Sequence, residues 1–319
     1  MADSDPQTGD NWERRALEKV ALAAIQEQRR ARHWGIFFKL LVFIYLFALL
    51  FIGLGWFGKK DGTSPGKHSA LVELRGVIGP DGAASADNIV SGLREAFKDK
   101  RTQGVSLRIN SPGGSPVQAG HINDEIKRLR GKYPSIPIYA VVEDICASGG
   151  YYVAVAADQI YVDKGSIIGS IGVLMDGFGF TGLMDKLGVE RRLLAAGENK
   201  RFLDPFSPVR KPQVQYAESM LDEIHKQFIT VVRQGRGERL KETPETFSGL
   251  LWVGARSVEL GLADGLGSVD YVAREGTKPE DIVEFTPREN IAERVARRFG
   301  AAMAEILVRT VTLNSFTLR

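Results

Sequence analysis

The sequence predicts an α/β protein, a largely parallel sheet built from βαβ units and preceded by one N-terminal transmembrane helix. Three observations predict it. Beyond position 70, short strand-like runs alternate with helical segments of about 10–15 residues, the pattern of βαβ crossovers. One apolar stretch, Ile36 to Gly58, stands apart from the rest of the chain. The 35 glycines gather in a few runs, and the densest fall where strands hand over to helices, which is where α/β folds place their chemistry.

Composition narrows the function classes. The chain has 319 residues, and the part beyond the first 60 is long enough for one large domain or two small ones with a dry core. With 42 basic and 39 acidic residues the formal charge is only +3, which argues against a nucleic-acid partner. Cys146 is the one cysteine, so an intrachain disulfide framework is excluded. The four histidines are scattered, so with one cysteine a Cys/His zinc site is not expected; no cofactor is expected.

Residues 1–35 precede the apolar stretch, 36–58 form the expected anchor, 59–69 a linker, 70–275 the folded domain and 276–319 a tail. As a helix the 36–58 stretch would be roughly 34 Å long, enough to cross a hydrocarbon layer. Lys39 lies near one end, where it can snorkel, and Trp34 and Trp56 bracket the span as interfacial aromatics do. The segment ahead of it is too long for a signal-peptide n-region and no A-x-A site comes after it, so an uncleaved anchor is expected. Arg29, Arg30 and Arg32 on one side nearly balance Lys59, Lys60 and Lys67 on the other, so charge leaves the orientation open. Lys59 to His68 is polar and rich in Gly and Pro, hence the linker.

Along the domain, Ala70–Ile78 reads as a strand, Ala86–Lys98 as a helix through Ile89, Leu93 and Phe97, and Val105–Ile109 as a strand. Val117–Arg130 is a helix, Ile136–Val142 a strand, Tyr151–Ala157 a buried helix and Gln159–Val162 a short strand. Arg191–Leu194 is strand-like, Pro212–Gln234 a long polar helix, and Phe247–Asp270 a short helix with glycine turns. In the tail, about Glu289–Arg309, Ile291, Val295, Phe299, Met303 and Ile306 form one helical stripe among arginines. That stripe suits a membrane surface, the chain's own domain or a neighbouring subunit equally.

Two glycine turns carry candidate chemistry. Asn110-Ser111-Pro112-Gly113-Gly114-Ser115 joins a strand to a helix. Adjacent glycines let backbone N–H groups approach a bound group closely, as in an oxyanion hole, although a plain tight turn has the same composition. Cys146-Ala147-Ser148-Gly149-Gly150-Tyr151-Tyr152 places a serine before an apolar helix. This is the arrangement of a nucleophile elbow; a simple helix N-cap is the alternative. A serine nucleophile needs a base. No histidine occurs between positions 122 and 224, and His121 is better explained as a surface residue. A desolvated lysine is the remaining option at neutral pH, and Lys200 in Ala196-Gly197-Glu198-Asn199-Lys200-Arg201 is the best placed, although a lysine in such a loop is ordinarily just solvated and its residues alone do not set it apart. Lys164 is a fallback.

With these pieces assembled, the chain resembles the signal peptide peptidase A family of serine proteases in its short bacterial form, and the related suppressor inner-membrane peptidases. The resemblance covers about Ala70 to Asp270 and rests on N-S-P-G-G at 110–114, D-I-C-A-S-G-G-Y-Y-V-A at 144–154 and G-S-I-I-G-S-I-G-V at 165–173. It implies a Clp-protease/crotonase-like fold and a Ser/Lys dyad. In that dyad Ser148 is the nucleophile, Lys200 the general base, Ser170 the residue orienting the lysine, and Gly114 and Gly149 the oxyanion donors. It further implies substrates that are hydrophobic peptides left after signal-peptide removal. It places residues 1–35 in the cytoplasm and the catalytic domain on the periplasmic side of the inner membrane. It also implies a homo-oligomer in which serine and lysine can come from neighbouring subunits. Two other classes compete: a crotonase-type acyl-CoA enzyme using the same N–H pair on a thioester, and a non-catalytic membrane-anchored scaffold.

Overall fold

The computed structural model describes residues 10–53 and 66–287. They belong to two compact units, one containing residues 1–60 and 289–319, the other residues 61–288.

Among the described residues of the first unit, helix α1 (Asp10–Gly53) spans 44 residues, about 66 Å at 1.5 Å per residue. Within it, Leu17–Ala48 contains a stretch long and apolar enough, by length and composition, to cross a membrane. Its large apolar side chains, Phe37, Phe43 and Leu46 among them, are exposed rather than packed in a core. The helix starts well before the expected Ile36, so residues 10–35, ahead of the apolar run, are helical too. The last part of the expected span, 54–58, the linker as far as residue 65, and the tail helix from 289 lie outside the described residues.

The second unit is a forked, mostly parallel sheet. Its strands are β1 (His68–Arg75), β2 (Thr102–Ser111), β3 (Ile138–Ala147), β4 (Gln159–Val162), β5 (Ile167–Gly169), β6 (Leu251–Val253), β7 (Gly265–Leu266) and β8 (Ile282–Glu284). The main path runs β6-β5-β3-β2-β1-β8, with β4 branching from β3 and β7 from β4; only the β5–β6 pair is antiparallel. β1, β2 and β3 are mostly buried, as central strands of a parallel sheet covered on both faces are. Helices α2 (Ala86–Lys98) and α3 (Pro116–Lys132) pack against this sheet through Ile89, Leu93, Phe97, Ile122 and Ile126. Ser85 and Ser115 cap their N-termini.

The fork lies in β3. Tyr139–Val141 pair with β4, whereas Ile145–Ala147 pair with β5. Against β2, Ile109 faces Val142 but Ser111 faces Cys146, so β3 carries extra residues around Glu143–Ile145. Such a bulge bends a strand and re-aims the chain beyond it. Here the re-aimed chain is Ser148 and the short buried helix α4 (Gly149–Ala154).

Several boundaries differ from expectation. His68 is a buried first residue of β1, its ring stacked on Phe285 and its Nε2 3.3 Å from Thr102 Oγ1, so the strand begins inside the expected linker. β8 pairs with β1 beyond the expected domain end at 275. Arg191–Leu194 forms no strand. Instead the chain leaves the sheet after Ile171 and makes an exposed excursion, including the helix α5 (Thr181–Leu187), before α6 (Lys211–Arg236). Phe180 stacks on Phe206 at 5.3 Å, and Arg191 pairs with Asp204, whose carboxyl is pulled down to about 2 by that guanidinium and the Ser207 hydroxyl. Phe247–Asp270 resolves into β6, the helix α7 (Gly254–Glu259) and β7.

Candidate active site

The two glycine turns meet. Gly113 and Gly114 have φ of +101° and +147°, a region open mainly to glycine. A Cβ on Gly113 would stand 2.7 Å from both Gly149 N and Ser148 Cβ, and one on Gly114 would stand 2.1 Å from Ile78 O. No side chain fits at either position. The first turn is held by Ile78, whose N–H donates to Gly113 O at 2.8 Å and whose carbonyl accepts from Ser115 N at 2.9 Å. Those bonds use the neighbours of Gly114 and leave its own N–H out. Gly149 opens α4, where the first N–H groups have no intrahelical partner. Neither glycine N–H donates to a hydrogen bond among the described residues.

Ser148 stands between them at φ 51°, ψ −122°. A non-glycine residue there is strained by about 1–3 kcal/mol and persists only when its surroundings over-determine it. Here Ser148 N–H donates to Gly169 O at 2.8 Å and Ser148 O accepts from Tyr152 N at 2.9 Å. The residue occupies the N-cap position of α4, yet its hydroxyl makes no capping bond. The N-cap reading therefore fails in its essential part: the side chain is free. Ser170 is similarly constrained at φ 50°, with its N–H donating to Leu250 O at 2.7 Å.

Gly114, Ser148, Gly149 and Ser170 line one cavity of about 590 Å³. Its remaining walls are mainly apolar, with Pro116, Ala119, Val173, Leu174, Ile224 and Phe228 contributing. Cavities of this size with a few convergent polar groups are typical ligand sites. The lining contains no lysine, histidine or carboxylate among the described residues. Tyr152 is its one titratable group, and burial, aided by the charge of Asp124, pushes that phenol up, away from service as a base. Burial likewise pushes up the thiol of Cys146, which is sealed in the core two residues before the serine.

Lys200 is not brought to this cavity by its own chain. It is exposed in the excursion, where its N–H closes a turn on Gly197 O at 3.1 Å, and it lines a separate hollow with Arg191, Leu194 and Phe202. His121 is exposed on α3, and Lys164 lines a different, charged cleft beside Glu143 and Asp163.

Residues 131–282 match the family model described as peptidase family S49. A protein of Methanocaldococcus jannaschii, provisionally named a protease, is 31% identical over 218 residues, which cover 67% of this chain and 69% of that protein. The chain belongs to peptidase family S49. Family S49 members share the Clp-protease-like fold, in agreement with the forked parallel sheet. Protease 4 of Haemophilus influenzae is 30% identical over 239 residues, 70% of this chain and 38% of that protein. A Brucella melitensis protein named Na(+)/H(+) antiporter NhaA is 42% identical over 204 residues, 62% of this chain. The chain spans only 28% of the length of that Brucella protein. The S49 match includes Ser148, Gly149, Ser170 and Lys200 and starts after the first glycine turn.

Sequence reasoning missed the far walls of the cavity. Ile224, Gln227 and Phe228 come from α6, and Ser248 and Gly249 from the turn before β6. The spacing of Ile224, Phe228 and Val231 marks an apolar face on α6, but nothing in the sequence says which strand ends that face meets.

Proposed function

We propose that the chain is a membrane-anchored serine endopeptidase that degrades hydrophobic peptides such as the remnants of cleaved signal peptides. Ser148 is its nucleophile and Lys200 of the partner subunit its general base. The observation that carries this reading is the free Ser148 hydroxyl, held in strained backbone beside the unengaged N–H groups of Gly114 and Gly149.

The arrangement supports a covalent route. An uncharged amine takes the Ser148 proton, and the oxygen attacks a peptide carbonyl. The resulting oxyanion is stabilised by the two N–H groups, each worth about 10²–10³ in rate in comparable sites. The amine then protonates the leaving nitrogen, and water resolves the acyl-enzyme. Ser170, in the same cavity, orients the lysine. The apolar walls favour Leu-, Ala- and Val-rich peptides.

The need for a second copy is supported by what the single chain lacks. Its cavity has no base among the described residues, and Lys200 stands in solvent. The excursion that carries the lysine exposes Leu174 at 80%, Phe178 at 79% and Leu194 at 96%, an apolar display characteristic of an interaction surface. Covering it with a second subunit would remove the lysine from water, the condition under which an amine acts as a base near neutrality. The apolar part of α1 supports anchoring, and the family resemblance supports a periplasmic location for the catalytic domain.

The test is complementation in the full-length, detergent-extracted protein. S148A and K200A are each expected to lose peptide hydrolysis. Mixed as subunits in equal amounts, they are expected to recover about a quarter of wild-type activity, because one interface in four then pairs an intact serine with an intact lysine. No recovery would place the base in the same chain as the serine. Undiminished hydrolysis in S148A would reject the mechanism.

A further inference from the structure

His225 lies on α6, one residue from Ile224 and three from Phe228, both of which line the Ser148 cavity. Its own ring is engaged elsewhere, with Nε2 3.0 Å from the carbonyl oxygen of Ile171. A carbonyl only accepts, so the ring carries its proton on Nε2 and donates it. We infer that His225 is a positioning residue that sets the width of the peptide-binding wall by clamping the backbone at Ile171 to α6. This inference rests on the peptidase reading and assigns a determinant of substrate binding within it.

The local bonding says what the clamp controls. Ser170 is held independently of His225, by its N–H to Leu250 O at 2.7 Å and by its carbonyl, which accepts from Gly172 N at 2.9 Å. Ser148 is tied to Gly169 and Tyr152, and the turn around Gly114 to Ile78. Beyond Ile171 the chain enters the excursion through Gly172, Val173 and Leu174, all of which line the cavity. Among the described residues, after the local Gly172 N–H bond to Ser170 O, the next backbone hydrogen bond along the chain is that of Phe180 N–H to Pro205 O at 2.8 Å. The His225 bond is therefore the last hydrogen bond to another element before the stretch that forms one wall. Another wall is α6 itself, where Phe228 packs on Tyr152 with centroids 5.2 Å apart. One side chain thus joins α6 to the backbone that leads into the wall formed by residues 172–174. Losing it loosens the binding wall and leaves the reacting groups in place.

The experiment compares His225→Phe, which keeps a ring but removes the donor, with His225→Gln, whose amide nitrogen can reach the same carbonyl. His225→Leu serves as a second donor-free variant if the Phe variant does not fold. Full-length oligomers are assayed with a fluorogenic Leu- and Ala-rich peptide and with a small fluorophosphonate that reacts at Ser148 without filling the wall. Donor-free variants are expected to raise KM about five- to tenfold, the loss of one hydrogen bond, with kcat and the labelling rate near wild type. The Gln variant is expected to return KM to within about twofold. A donor-free variant with wild-type KM, or a Gln variant as impaired as the Phe variant, would overturn the inference while leaving labelled, active wild type to uphold the peptidase. A wild type that neither labels at Ser148 nor cleaves peptide would overturn both.

Discussion

Replacing Gly149 with alanine separates the chemistry of the oxyanion pocket from the stability of the fold. Gly149 is a helical residue without positive φ, so alanine meets no backbone strain there. Alanine is also a better helix former than glycine, by up to about 1 kcal/mol in a helix interior and less at the first position. The added methyl would stand 3.3 Å from Gly114 N, 3.4 Å from Ala119 Cβ and 3.6 Å from Gly113 Cα. These contacts are tight, but shifts of a few tenths of an ångström relieve them. The space taken is another matter, because an oxygen accepting from Gly114 would need to sit at a similar distance from that nitrogen. The methyl therefore competes with the oxyanion for one of its two donors. Loss of one donor corresponds to about 10²–10³ in kcat, or about 2.7–4 kcal/mol of transition-state stabilisation. The expected outcome for G149A is an unchanged oligomer, a Tm within a few degrees of wild type and peptide hydrolysis reduced by that factor. A folded G149A enzyme with kcat/KM within about threefold of wild type would show that the Gly114 N–H does not face the reacting carbonyl, and the two-turn oxyanion pocket would have to be abandoned.

Two further predictions concern the scaffold. Glu125 of α3 bridges Arg128 and Arg94, and the hydrogen bonds of Arg128, then Arg94, against an opposing cost of burial, hold its carboxyl down to about 2 from an ordinary 4.5. A folded-state value below the unfolded one adds stability above pH 4.5 that disappears as pH falls toward 2. The full shift would be worth about 3 kcal/mol, but both arginines are largely exposed and screened, so E125Q is expected to lower stability near neutrality by about 1–2 kcal/mol and to flatten the acid limb of a urea-denaturation series. An E125Q protein with the wild-type slope between pH 5 and 2 would remove Glu125 as the cause. Asp264 accepts from Arg236, which is fully buried, from Arg239 and from Ile160 N, tying the end of α6 to β4. Burial pushes this carboxyl up, and the arginines and backbone N–H together outweigh it and hold it below its ordinary range. D264A leaves a buried guanidinium without its counter-charge and should cost about 3–5 kcal/mol, lowering Tm by on the order of 10 °C. A Tm loss below about 2 °C would mean that water replaces the carboxylate there.

The parts legible in the sequence are those whose signal is local. α2 and β4 occur at their expected bounds, Ala86–Lys98 and Gln159–Val162, because one has apolar residues at helical spacing behind a Ser cap and the other a compact apolar run. Ser148 stands out because a serine before two glycines and an apolar helix is a local arrangement with few structural explanations. The elements that escaped, β5, β6, β7 and β8, have two or three residues each, too few to carry a period. Arg191–Leu194 has strand-like composition, but its side chains are exposed and it has no pairing partner among the described residues. Composition describes what a strand could bury, not whether an edge is available to it.

The sequence by itself determined the class of fold, the apolar helix, the two glycine turns and the serine between helix and strand. Each depends on residues within a few positions of one another, where sterics and hydrophobic period act directly. Only tertiary structure decided that Gly113 and Gly149 touch, that the bulge in β3 aims Ser148 into a cavity walled by α6, and that Lys200 lies outside the cavity of its own chain. Those contacts and separations involve segments tens of residues apart. What brings them together is strand pairing and core packing summed over the whole domain, and no local pattern contains that sum.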